Sequence, residues 1–309
     1  MNFNPAAPRD HMLLSFGAIL CYAFSVTYVD NYVRVLAEEG SLWQFHAMRS
    51  ALSLVIMWAL ALLFSKSLRP KNIRAVALRS LLHGGAIMIY FGALAFLPVA
   101  QVAAGLFTAP IFVLLIQRWA FNAKIAPLQI LAVAVGFCGV VMVLGPEVMQ
   151  GTSLAALLPI LAAVLYAMGN ITTRRNCGPE TAWAMLTGFF IAIGMMGLTV
   201  MLILTAIGSE VAPGPQGFIA RGAVWPDATF LFWIFMQAVF SIFGVGMMIQ
   251  AYRLAEASRV SVFEYVLLPV SAFWGYILWG QLLSWVAIMG MILIAISGLL
   301  ISLFRPIQA

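Results

Sequence analysis

Ten runs of about 20 apolar residues follow one another along the chain, each long enough to cross the roughly 30 Å hydrocarbon core of a bilayer as a helix. They predict helices over 12–35, 42–64, 76–97, 99–119, 126–144, 153–173, 181–206, 228–251, 260–279 and 282–304. The runs are continuous rather than alternating, so helices are expected and a barrel is not. Most connections are short, which makes successive helices antiparallel neighbours. The exception, 207–227, is rich in Gly and Pro and predicts a short surface helix at most. The first run begins near Met12 and is too long for a signal-peptide core, so it is expected to be a retained span.

Composition agrees with the pattern. The chain is 64% hydrophobic and 8% charged, with a mean hydropathy of +1.04, whereas soluble domains carry roughly 25% charged residues. The expected fold class is therefore all-α: a polytopic membrane protein of ten transmembrane helices. With the N-terminus inside, 13 of the 16 Lys and Arg fall on the cytoplasmic side, namely Arg9, Lys66, Arg69, Lys71, Arg74, Arg79, Arg118, Lys124, Arg174, Arg175, Arg253, Arg259 and Arg305. That bias predicts an inner-membrane protein with both termini in the cytoplasm. It also accounts for the net charge of +6 as topology charge beside anionic lipid, and no nucleic-acid partner is expected. Cys21, Cys138 and Cys177 show no disulfide pattern.

The chain also repeats itself. Pro110 is followed 29 residues later by Gly139, and Pro269 is followed 29 residues later by Gly298. The run from Ala93 to Val102 can be laid on Ala251 to Val260, Tyr22-Ala23 echoes Tyr166-Ala167, and Trp43 echoes Trp183. Two repeats, 12–144 and 153–304, are the simplest account. Because each holds five spans, an odd number, the second enters the membrane opposite to the first. Inverted repeats have a physical use, since exchanging the conformations of two similar halves turns an inward-open cavity into an outward-open one.

The ten short-looped helices, the segment ALAFLPVAQVAAGLFTAPIFVLL around Pro110 and the stretch from Pro269 to Ile301 resemble the two EamA repeats of the drug/metabolite transporter superfamily. The resemblance spans roughly Leu13 to Phe304. Arg49 in the second span with Phe263-Glu264-Tyr265 in the ninth is similar to the subgroup of S-adenosylmethionine uptake proteins. Where family repeats carry a Gly-Glu pair after the proline, this chain reads Asn122-Ala123 and Gly280-Gln281, so no role of that glutamate carries over. The resemblance implies a secondary transporter working by alternating access.

An ionisable group inside a span costs about 2.5 to 3.5 kcal/mol on insertion scales, so each calls for a reason. Arg49 lies roughly 6 Å from the midplane at a rise of ~1.5 Å per residue. Its guanidinium suits a substrate carboxylate or phosphate, or else a structural ion pair or gate with Asp30. Glu264, between Phe263 and Tyr265, is a candidate for proton coupling or for holding a cationic substrate group; the plainer alternative is an anchor for Arg253. His46 and His83 suit a proton relay or, more plainly, an interhelical hydrogen bond.

Tyr22, Trp43, Tyr90, Tyr166, Trp183, Tyr265 and Trp274 lie at depths suited to a central aromatic box, with Asn170 one turn after Tyr166, although belts and packing use the same residues. Pro110 and Pro269 are expected to break their helices near midspan. Ala132, Gly136 and Gly139 share a face of the fifth span, and Gly290 with Ser297 one of the tenth, suited to close helix contact or to a homodimer.

No phosphate-binding loop, HExxH or CxxC motif occurs, so neither a metal nor a cofactor is expected, and the driving force must be a gradient, through a coupling proton, or exchange for a second metabolite. The expected cargo is an amino acid or related zwitterionic or cationic metabolite, with S-adenosylmethionine as the specific alternative. An intramembrane lipid-modifying enzyme or a non-transporting scaffold are the readings from other classes. The first would need nucleophile, base or metal ligands gathered at one depth.

Overall fold

A computed structural model describes residues 11–93, 102, 105–144, 157–208, 211, 214, 217–280, 282 and 284–303. Arg9, Arg305, the 94–101 stretch and the start of the second expected repeat lie outside them. Among the described residues the chain is all helical. The elements are α1 (Met12–Asp30), α2 (Val33–Glu39), α3 (Leu42–Leu63), α4 (Ile73–Ala93), α5 (Ala109–Phe121) and α6 (Pro127–Leu144). They continue with α7 (Leu157–Arg175), α8 (Ala182–Ile207), α9 (Ala228–Leu254), α10 (Ala257–Phe263), α11 (Leu267–Trp279) and α12 (Trp285–Leu303). Seven helical stretches are long and apolar enough to cross a membrane, counting α1 with α2 and α10 with α11; α5, α6 and α12 are shorter apolar helices.

Two expected spans differ instructively. The fourth is not one helix bent at its middle: Gly105 and Leu106 are helical, Phe107 and Thr108 form a turn, and Pro110 occupies the first turn of α5. Proline is favoured at that position because its missing N–H has no intrahelical partner there. Thr108 donates to Gly105 O through both its N–H (3.1 Å) and its hydroxyl (2.6 Å), which closes the break. The ninth span is interrupted by a 3-10 turn at Glu264–Val266, just ahead of Pro269, which cannot donate to the carbonyl four residues back. Both α5 and α11 end at a left-handed residue, Asn122 at φ 51° and Gly280 at φ 63°.

The principal helix pairs are α1 with α9, α4 with α7, α3 with α8, and α6 with α12. The last pair meets through small residues: a Cβ on Gly139 would lie 2.6 Å from Gly290 O, one on Gly290 equally close to Gly139 O, and Ser297 Oγ donates to Ala132 O at 2.7 Å. The two small-residue faces noted in the sequence thus cover one another inside the chain.

One end of the bundle is basic. Arg174 donates to Arg253 O, the Arg175 guanidinium stacks 3.7 Å over Phe121, and His11 N donates to Leu254 O at 2.9 Å, so these helix ends lie together. At this end Glu180, buried, accepts from the N–H of Lys71 (2.9 Å) and of Asn72 (2.5 Å) at the start of α4. The opposite end is closed by 217–224. Leu42 N donates to Phe218 O (2.9 Å), Ser41 Oγ to Arg221 O (2.7 Å) and Trp43 Nε1 to Ile219 O (2.6 Å), while Gln44 and Val224 bond both ways at 2.8 Å. Arg221, buried, donates to Gly40 O at 2.6 Å and to Gly214 O. Where the sequence predicts a short surface helix at most, 217–224 is therefore a hydrogen-bonded strap.

Candidate functional site

The interruption in the ninth span turns the Glu264 carboxylate inward, onto a face shared by α1, α7 and α9. Tyr166 of α7 donates to Glu264 Oε1 at 2.9 Å and sits 3.2 Å from Met248 Sδ. The Tyr252 hydroxyl also lies near the carboxylate, and Tyr22 faces Tyr166 from α1. Behind Tyr252 the chain of bonds continues, with Asn170 Nδ2 donating to the Tyr252 oxygen at 2.6 Å and His83 Nε2 lying 2.8 Å from Asn170 Oδ1. Read with Nε2–H as the His83 tautomer, every donor in this chain points toward Glu264. A carboxylate that accepts from one phenol, with a second phenol beside it, is a strong acceptor held ready for a positive or donating group.

Glu264 opens onto a small cavity of about 80 Å³ whose walls include Tyr22, Leu106, Phe107, Pro110 and Tyr166. At roughly 30 Å³ per water it holds a few waters, far below the about 300 Å³ of a typical ligand pocket, so this conformation is nearly closed around its acid. Both helix interruptions, at 107–108 and 264–266, border it. A larger recess of about 200 Å³ beside Glu38, Asp227 and Phe230 lies at the strapped end, away from this chemistry.

Toward the strapped end is a second polar group. Arg49 is buried, its Nη2 lies 3.2 Å from His46 Nδ1, and its guanidinium covers the Phe45 ring at 4.9 Å. Asp30 at the end of α1 is accessible; it acts electrostatically on Arg49, Tyr22 and Tyr90, yet no ion pair within 4.0 Å joins it to Arg49. Tyr22 therefore stands between the Glu264 group and the Asp30–Arg49 group.

The remaining sequence candidates fall elsewhere. Trp43 is tied to Ile219 O in the strap and packs with Phe218 and Phe230, so it supports the far end rather than the cavity. Trp183 packs half-buried at the start of α8. Tyr265 points away from Glu264, against Gly136 of α6. Trp274 donates to Phe24 O at 3.1 Å within an aromatic group of α1 and α11. Arg253 bonds Gln250 (2.9 Å), and Arg259 lies 3.9 Å from Glu256, so the tyrosines surround Glu264 where the sequence suggested arginine. Tyr252 was missed because an isolated tyrosine near a helix end carries no signal by itself; its place beside Glu264 and opposite Asn170 is a tertiary fact.

Residues 11–145 match the EamA-like transporter family. Over 298 residues the chain is 22% identical to an uncharacterised transporter of Helicobacter pylori, covering 96% of each protein. It is 29% identical over 190 residues to a riboflavin transporter of Rhizobium johnstonii, covering 60% of this chain and 56% of that one. It is 21% identical over 300 residues to a pseudopaline exporter of Pseudomonas aeruginosa, covering 94% and 97%. A solved crystal structure superposes with a TM-score of 0.72 at 16% identity, covering 96% of this chain and 99% of that one, which establishes a shared fold.

Proposed function

With residues 11–145 matching the EamA-like transporter family, we propose that the chain is a secondary transporter that moves a small polar metabolite by alternating access, with Glu264 as the central cargo contact. The observation that carries the reading is the Glu264 carboxylate, buried, ringed by Tyr22, Tyr166 and Tyr252, and placed where two broken helices border a closed cavity. A cationic or hydrogen-bond-donating group of the cargo replaces a tyrosine hydroxyl at the carboxylate and gains the aromatic faces around it. Arg49, further toward the strapped end, receives an anionic group. Amino acids and S-adenosylmethionine carry both kinds of group; the named cargoes of the relatives are others, so this cargo class rests on Arg49 and Glu264 alone.

Alternating access needs two halves that exchange roles, and the helix pairing supports inverted repeats at 12–144 and 153–304. Exchanging each span of the first half with its counterpart in the second turns α1·α9 into α7·α4 and returns α3·α8 and α6·α12 to themselves. The counterparts α5 and α11 are each 13 residues long, carry proline in the first turn and end in a left-handed residue. By the positive-inside rule the basic end faces the cytoplasm, the strapped end faces out, and the membrane is the inner one.

The test is a thermal-shift screen of purified protein against amino acids, S-adenosylmethionine and riboflavin, followed by uptake into liposomes. A ligand at 100 times its Kd stabilises by about 2.7 kcal/mol. A stabilising ligand whose effect disappears in Glu264→Gln, with the variant still folded, supports the site; one that binds Glu264→Gln and Arg49→Ala as well as wild type removes it.

A further inference from the structure

Tyr166, Asn170, Thr173 and Cys177 recur at steps of four, three and four residues and so lie on one face of α7 and its immediate extension. Facing them from α4 are His83 and, one turn nearer the basic end, Arg79. All are buried. Together they form a polar seam between α4 and α7 that leads from Glu264 toward the basic end, where Glu180 closes it against the start of α4. Such a line of hydroxyl, amide and imidazole groups through a lipid-embedded bundle offers water and protons a route that apolar packing would deny.

Arg79 stands across this seam. Its Nε donates to Thr173 Oγ1 at 3.2 Å, its Nη1 to Met185 O at 3.3 Å, and it lies 5.9 Å from the centre of the Phe189 ring. It is fully buried, its Nη2 has no partner, and among the described residues no carboxylate comes within ion-pair distance. The groups that face it are His83 on its own helix, Tyr166, Thr173 and Cys177 on α7 and its extension, and Met185 and Phe189 on α8. A guanidinium does not give up its proton in proteins, so this is a permanent positive charge with no carboxylate counter-ion among the described residues. An arginine beside a narrow polar path repels protons and small cations while leaving neutral groups in place.

We propose that Arg79 is an electrostatic barrier that stops protons from leaking along the α4–α7 seam between the basic end and Glu264. The proposal rests on the transporter reading for why a leak would matter: a carrier whose central acid were open to protons from one side would dissipate the gradient it works against.

The experiment reconstitutes the full chain in liposomes with an entrapped pH dye, imposes a potassium diffusion potential with valinomycin, and measures proton flux with no cargo present. Wild type and Arg79→Lys, which keeps the charge, are expected to be tight. Arg79→Gln and Arg79→Met are expected to raise the flux several-fold at unchanged melting temperature, and adding Glu264→Gln to Arg79→Gln returns it to baseline. Unchanged flux in both neutral variants overturns the barrier, as does an equal leak in Arg79→Lys, which would make the role one of packing. Because no cargo is used, this failure is distinct from failure of the cargo assignment.

Discussion

A methyl group on Gly169 would run into the His83 ring, so α4 and α7 approach closely enough for the His83–Asn170 bond only while position 169 is glycine. Gly169→Ala is expected to cost about 1–3 kcal/mol through this overpacking, read as a lower melting temperature. It should also weaken ligand stabilisation beyond what the lowered stability explains, since it disturbs the bonds behind Tyr252. Cys177 illustrates burial acting on chemistry at the end of the same seam. Burial pushes its thiol up to about 11, with Arg79 opposing, so it is protonated at neutral pH. A water-soluble maleimide should leave Cys177 unmodified in the folded protein and label it after denaturation, a contrast that mass spectrometry reads directly. At this scale the sequence is informative about which residues are costly in a bilayer and silent about which way they face. Glu264 and Arg49 stand out because charges interrupt apolar runs. Arg79 does not, because a cation near a helix end reads as a topology charge until the fold shows it facing α7. Trp43 has the right depth for a cavity and the wrong azimuth, which hydropathy cannot report.

Among the helices, the start of α4 is held by a residue outside its own hairpin. Glu180 accepts two N–H groups there, while Asn72 Oδ1 accepts from Ala75 N at 3.1 Å as the local cap. Glu180→Ala removes the first contribution, and a loss of about 1 kcal/mol is expected, with faster amide exchange at Lys71 and Asn72 than elsewhere in α4. The interrupted ninth span makes a second prediction. If the 3-10 turn before Pro269 is a hinge, Pro269→Ala permits a continuous helix, and uptake should slow while the melting temperature holds or rises. Among the described residues helix existence was legible, because runs of some twenty apolar residues have few other solutions in lipid. The nature of the breaks was not. Pro110 looks the same in sequence whether it kinks a helix or begins one, and the turn at Phe107 and Thr108 that decides the matter carries no unusual residues.

For the molecule as a whole, the distribution of basic residues supports the orientation proposed above. Single cysteines at Lys124 on the basic end and at Glu38 on the strapped end, both exposed positions, test it in spheroplasts with a membrane-impermeant maleimide. Labelling of the Glu38 position alone is the expected result; labelling of Lys124 alone would reverse the orientation, and labelling of both would contradict a single topology. The similarity to the EamA-like transporter family was legible from the short-looped helices and the segments around Pro110 and Pro269, whereas the end closures were not, since their partners lie far apart in the chain.

The strap at 217–224 has a practical consequence for anyone building reporters into this protein. Chain length between helices usually marks the place where an epitope, a fluorescent domain or a cleavage site is best tolerated. Here that guide inverts. The long connection before α9 is stitched to Gly40, Ser41, Leu42, Trp43 and Gln44, so an insertion within it would pry two distant hairpins apart. The brief turn after α3, where Lys66, Ser67 and Arg69 are all exposed, is the better place for a graft.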